Sequence, residues 1–295
     1  MNDGYFFVIG DPGRAARETP DGPPPALIGP ADVQLSMASM AGMVIRAASS
    51  RGVHHRGRHV VRQDTYALGR RALDGQPEQA VVAVCDGVGS LEYSHHAAAL
   101  ISQRLAENAA AGADWWHAFA LANTELAKTV AERQAARGGG MATTAVAITV
   151  RREAGLWAGE AAWVGDSTLW HLGDDLTWTL VSGSSLRSED GYHSSGVHPM
   201  PTQDASWTCC SFRIRGGALF AMTDGVGNPL MWSPEVQATL ASWWARPPDP
   251  FTFAAQVGFA KKTHTDDRTV VGIWPDWKDE DAGQDNGTGN PQADR

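Results

Sequence analysis

AVVAVCDGVGS, residues 80–90, runs from six consecutive apolar side chains straight into Asp-Gly. Ala80–Cys85 is too short for an ordinary helix and rich in valine. It predicts a strand buried on both faces. Asp86 then stands where the rigid strand opens to solvent, and Gly87 lets backbone or an ion come close. Two other stretches repeat the pattern: WVGDSTL holds Asp166 and FAMTDGVGN holds Asp224. Two more put acids just before a strand: RQDTYAL holds Asp64 and HTDDRTVV holds Asp266 and Asp267.

Outward from this stretch, Met43–Ala48 and Thr65–Leu68 predict earlier strands. SHHAAALISQRLAENAA and WWHAFALANTELAKTVAERQAAR predict two helices, with GGGM as the break after them. Four strands follow: TTAVAITVR, LWAGEAAWV, LWHLG and TWTLV, parted by turn residues. Residues 182–206 form a long polar loop, a place suited to substrate selection. TCCSFRI and GALFAMTDG pair next, then the helices PEVQATLASWW and PFTFAAQVGFAKK, then the strand RTVVGIW. Strands, helices, a run of strands, helices and a strand indicate sheets with helices packed outside.

The organisation expected is an irregular Pro- and Gly-rich lead-in at 1–42, one domain at 43–275, and a disordered acidic tail at 276–295. The chain has 295 residues, 43% hydrophobic, enough for a sizeable core. Its formal charge of −9 argues against nucleic acid or an anionic membrane as the main partner. Three cysteines make no disulfide framework, and no basic start leads into an apolar run at the N-terminus. No stretch approaches a membrane span. A cytoplasmic protein with reduced thiols is the expectation.

Carboxylates gathered at strand ends repel one another, and a hard cation with oxygen ligands relieves that repulsion. Two such ions can polarise phosphoryl oxygens and produce hydroxide near neutral pH. The plain alternative is that each Asp is a turn former or cap.

From Ala47 to Ile273 the chain resembles the PPM (protein phosphatase 2C-like) metal-dependent protein phosphatases, and its early segment resembles their bacterial branch. The resemblance rests on Gln63–Asp64, Asp86–Gly87, MATTAVAI, Val164–Ser167, Thr223–Asp224–Gly225 and Asp266–Asp267–Arg268–Thr269–Val270–Val271, in the family's order. It implies an α+β fold, a four-layer α/β/β/α sandwich of two antiparallel sheets flanked by helices. It implies two Mn2+ or Mg2+ ions held by Asp64, Asp86, the Gly87 carbonyl, Asp224 and Asp266, with Asp166 nearby. Asp86 would bridge the ions, and Asp267 is the rival register for Asp266. The implied activity is hydrolysis of phosphoserine and phosphothreonine in proteins by metal-activated water, with Asp64, Asp86, Asp224 and Asp266 as the catalytic set. A phosphorylated protein would be the substrate and a cognate Ser/Thr kinase the counterpart, in signalling.

The chain departs from the family in places. His59 stands where many members have an Arg that clamps phosphate, which leaves Arg58, Arg62 and His55 as phosphate-binding candidates. Val88 replaces a His proposed elsewhere as general acid, and ARGGGM lacks the acid that would serve a third metal. His95 and His96, near a helix start, read as surface or packing residues. His59, Val88 and Gln63, which stands where many relatives have Glu, define the competing expectation: a catalytically weak or inactive pseudophosphatase that binds and regulates.

Overall fold

A computed structural model describes residues 7–13, 30–58, 60–182 and 198–276. Seventeen elements follow one another: β1 Val33–Met40, β2 Met43–Ser50, α1 Val53–Gly57, β3 Thr65–Arg71, β4 Gln79–Gly87, α2 Ser94–Ala110, α3 Trp115–Ala135, β5 Thr143–Glu153, β6 Leu156–Val164, β7 Thr168–Leu172, β8 Trp178–Ser182, β9 Thr208–Arg215, β10 Ala218–Met222, α4 Asp224–Trp232, α5 Pro234–Trp244, α6 Pro250–Val257 and β11 Arg268–Pro275. They make two antiparallel sheets, one ordered β1-β2-β11-β10-β7-β8 and the other β3-β4-β5-β6-β9. The α+β sandwich expected from the sequence is what the chain forms.

The alternation of β4 explains its continuous apolar run. Val81, Ala83 and Cys85 point outward, into a core shared with α2 and α3. Ala80, Val82 and Val84 point inward, against Ile45, Val271 and Leu219 of the facing sheet. Successive side chains on a strand take opposite faces, so only a strand with two apolar partners can be apolar throughout. The other sheet has its own outer core, where Phe220, Trp274 and Trp170 meet Trp244 and Phe253 from α5 and α6. The layers are therefore helices, sheet, sheet, helices.

Three features were not anticipated. Val33–Met40, placed in the irregular lead-in, is a full strand paired along β2 from Val33–Ser50 to Met40–Met43. Its neighbours 11–30 are so rich in Pro and Gly that they masked its own VQLSMASM pattern. The short helix α1 follows β2, where no helical period can be read in five residues. Helix α4 begins at Asp224 despite two glycines and Pro229, residues that ordinarily argue against a helix. The loop expected at 182–206 falls largely outside the described residues, as does the acidic tail. Its described end is anchored: Met200 exchanges backbone hydrogen bonds with Thr143, and Asn123 bonds Thr202.

Candidate active site

All the strand-end acids lie at one end of the sandwich. Thr65 pairs with Cys85, so Asp64 and Asp86 occupy neighbouring strand ends. Met222 pairs with both Val270 and Thr168, which brings Asp224, the 266–267 turn and Asp166 to the same end. The antiparallel topology gathers them from five segments of the chain.

Asp64 is 2% exposed and accepts a hydrogen bond from Thr223 Oγ1 at 2.7 Å. Thr223 Oγ1 also accepts from the Thr269 backbone N–H at 3.1 Å. This chain of bonds ties β3 to β10 and β11 directly beneath the acids. Burial holds the Asp64 carboxyl well above the ordinary carboxylate range, and the nearby Asp267 charge adds to the shift. Asp86 is likewise held well above it, first by desolvation and then by Asp64, Asp224, Asp266 and Asp166.

Asp224 comes within hydrogen-bonding range of Asp86, and its pKa is pushed up to about 7 by burial, then by Asp166 and Asp266. Its Oδ2 accepts from Asn228 at 3.1 Å, while its Oδ1 is buried with no hydrogen-bond partner. Asp166 is raised by burial and by Asp266. Four carboxyls pushed in one direction mark a site where negative charge is concentrated without neutralisation.

Two glycines make the close packing possible. A Cβ on Gly87 would lie 2.9 Å from the Gln63 carbonyl oxygen and equally close to Ser94. A Cβ on Gly225 would collide with the Asp267 carbonyl. Any side chain at either position forces the acid beside it out of place.

The two adjacent acids before β11 have separate jobs. Asp267 is 2% exposed, and its oxygens accept from the Gly52 N–H at 2.7 Å and the Gln63 N–H at 2.6 Å. It also pairs with His55 Nδ1 at 2.9 Å. Burial alone would lower the His55 pKa, but the Asp267 hydrogen bond and the Asp267 and Asp266 charges leave it raised. Asp267 is thus a clamp that fixes segment 52–63, and with it the entry to Asp64. Asp266 is exposed and lines a cleft of about 290 Å³ with Asp224, His54 and His264. His55, Asp266 and Asp267 have donor atoms close enough to hold a metal ion. Both Asp267 oxygens already accept backbone N–H bonds, which favours the clamp.

The phosphate-binding candidates are dispersed. Arg62 is 2% exposed, and its guanidinium donates to the Ala31 carbonyl and to Gln34 Oε1, both at 3.0 Å. It braces β1. His55 is buried against Asp267. Arg58 is exposed at the end of α1. His59 lies outside the described residues. The clamp role of Asp267 and the cleft histidines His54 and His264 were not read from the sequence. Only the Asp-Asp doublet hinted at the first, and no spacing signal marks the second.

The donor set suits a hard divalent cation: clustered carboxylates, one with a buried unpartnered oxygen, beside glycine backbone. The comparisons agree with the architecture. A bacterial serine phosphatase has 15% identity, covers 78% of this chain and 97% of its own, and has a TM-score of 0.55. PppA of Pseudomonas aeruginosa, a regulatory component of T6SS, has 16% identity, coverage of 79% and 97%, and a TM-score of 0.52. The serine/threonine phosphatase Stp1 of Staphylococcus aureus has 14% identity, coverage of 82% and 97%, and a TM-score of 0.52. At these identities the likeness is one of fold. No curated protein matches the chain in sequence. The sequence profile of protein phosphatase 2C matches residues 51–256. That span holds Asp64, Asp86, Asp166 and Asp224 and stops short of Asp266, whose place rests on the geometry above. Matched over well more than half its length, the chain belongs to the protein phosphatase 2C family.

Proposed function

We propose that the chain is a metal-dependent serine/threonine protein phosphatase. The observation that carries this reading is the placement of Asp64, Asp86, Asp166 and Asp224 at one end of the sandwich, all with raised pKa, with Asp224 Oδ1 buried and without a hydrogen-bond partner. Such a cluster is costly unless a cation sits among the oxygens. Asp86, the Gly87 carbonyl, Asp224 and Asp266 would hold two Mn2+ or Mg2+ ions, with Asp64 contributing from beneath. When bound, such ions supply a nucleophilic hydroxide near neutral pH and neutralise charge on the phosphoryl oxygens.

The chain's own residues do the rest. Thr223 fixes the rotamer of Asp64, and Asn228 fixes that of Asp224. The Asp267 clamp holds segment 52–63, which sets His54 in the lining of the cleft. The cleft beside Asp224 and Asp266 leaves room for a phosphorylated side chain, and a phosphorylated protein is the substrate it suits. Direct attack by water needs no nucleophilic side chain, consistent with the absence of Cys from the cleft lining among the described residues.

The test is Mn2+-dependent hydrolysis of an aryl phosphate and of a phosphothreonine peptide. Turnover of both, removed by chelator, is expected. Mn2+ binding without any turnover would instead favour the pseudophosphatase reading, which His59 and Val88 motivate.

A further inference from the structure

β9 ends the five-stranded sheet, pairing with β6 on one side only. Among the described residues nothing pairs with its other edge. An open strand edge is a template for adding another extended chain, and the side chains beside it then set which chain is accepted.

The register defines those side chains. On the outer face three rows cross the sheet. Cys209 lies beside Ala162 and Ala147, Ser211 beside Glu160 and Thr149, and Arg213 beside Ala158 and Arg151. Two clefts lie over the rows. One, about 340 Å³, is walled by Trp115, Trp116 and Cys209. The other, about 360 Å³, is lined by Arg71, Arg151 and Arg213 with Gln79 and Thr149. They share Glu160 and Ser211, so they form one groove on the outer face, which starts at β9 and crosses the sheet over β6 and β5 toward Arg71 on β3.

The groove changes chemistry from row to row. At one end Trp116 is 51% exposed, with its ring 5.3 Å from that of Trp207. Asp114 at this end is engaged by the N–H and the ring of His117. In the middle the charged group is Glu160. At the far end two guanidiniums meet one carboxylate, Glu153, which pairs with Arg151 at 3.2 Å and Arg213 at 3.5 Å. Arg71 there reaches the Gly112 and Ala113 carbonyls at 3.4 Å. The Nε atoms of Arg71 and Arg151 are buried without a hydrogen-bond partner.

Same-face residues on a strand repeat every ~6.8 Å, the spacing of these rows. We propose that the β9 edge binds an extended segment of a partner protein by strand addition, reading an apolar, a basic and an acidic residue at alternate positions i, i+2 and i+4, counted in the direction in which β9 runs. The apolar side chain meets Trp116 and Cys209, the basic one reaches over Ser211 to Glu160, and the acidic one meets Arg213. The groove lies down the strands from the acids, so the inference stands whether or not the chain is a phosphatase.

The test is selection of a random nonapeptide display library on the metal-free full chain, followed by anisotropy titration of the enriched peptides. The alternating apolar, basic, acidic pattern is expected among them. Arg213→Glu should weaken binding of these peptides at least tenfold, and Trp116→Ala severalfold, with Asp224→Asn unchanged. Arg213 is 60% exposed at the side chain, so Arg213→Glu alone leaves the core intact and should switch selection from acid to Lys or Arg at i+4. No enrichment, enrichment without the pattern, or unchanged selection by Arg213→Glu overturns the proposal. So does a solution dimer that Arg213→Glu dissociates, which would give the edge to a second copy of this chain.

Discussion

At one end of the strands the sandwich holds Asp64, Asp86, Asp166, Asp224 and Asp266; at the other end of the five-stranded sheet it holds Arg71, Arg151 and Arg213. Both are clusters of like charge, yet they differ in solvation. Asp64, Asp86, Asp166 and Asp224 are pressed together at strand ends, with little water to screen them, and their pKa values rise, while Asp266 stands exposed beside them. The arginines stand on a sheet face, where Arg151 and Arg213 share Glu153 and Arg71 reaches the Gly112 and Ala113 carbonyls. Like charge on an open face is a mild liability. Like charge inside a crowded strand end is a large one, retained only where a cation offsets it. The comparison therefore points to the acid end as the chemical centre, on grounds separate from family membership.

The first way to break this contrast is Asp224→Asn. Hydrolysis should fall by about a hundredfold or more, the scale of losing a charge that acts on the reacting centre, as read in kcat with Mn2+ saturating. Unchanged turnover would mean the cluster is not the site. Next comes Asp267→Ala, which strands two backbone N–H groups and His55. It should cost ~3 kcal/mol in denaturant unfolding, the scale of a broken buried charged network. A loss below ~1 kcal/mol would return Asp267 to the list of metal ligands.

A smaller effect concerns pH. Asp224 lies at about 7 in the folded chain against an ordinary 3.8, so its contribution is intact below about pH 4 and is lost as pH rises toward 7. Asp64 and Asp86 shift in the same direction. Metal-free protein should lose ~3 °C or more of melting temperature between pH 5 and pH 7.5, the size of a ~1 kcal/mol change in a domain of this length. Asp224→Asn or added Mn2+ should flatten that slope, and a melting temperature that rises with pH would contradict it. The smallest effect belongs to the other end: Arg213→Gln should change stability by less than ~0.5 kcal/mol, as expected for an exposed pair. A loss of several kcal/mol there would erase the contrast between the two ends.

Much of this was legible in the sequence. AVVAVC announced a strand buried on both faces because each alternate residue needed an apolar partner. LWAGEAAWV announced β6 by its own length and turns. Asp86 and Asp224 were legible because glycine follows each at the end of an apolar run. Helix α4 was not, since Gly225, Gly227 and Pro229 weigh against helix and are overridden by packing of Val226 and Leu230 into the outer core. Strand β1 was hidden by its neighbours. The division of labour between Asp266 and Asp267 could not be read locally. It depends on the N–H groups of Gly52 and Gln63, some two hundred residues away in the chain. Arg62 misled for the same reason: its partners are Gln34, on a strand the sequence did not reveal, and Ala31, just before that strand.

The most direct test of the central claim is calorimetric titration of Mn2+ into metal-free wild type and into Asp224→Asn. The account predicts saturable binding to the wild type, with proton release as the raised carboxyls ionise, and binding weakened at least tenfold in Asp224→Asn. Absence of Mn2+ binding at millimolar concentration, or equal binding by the two proteins, would contradict it.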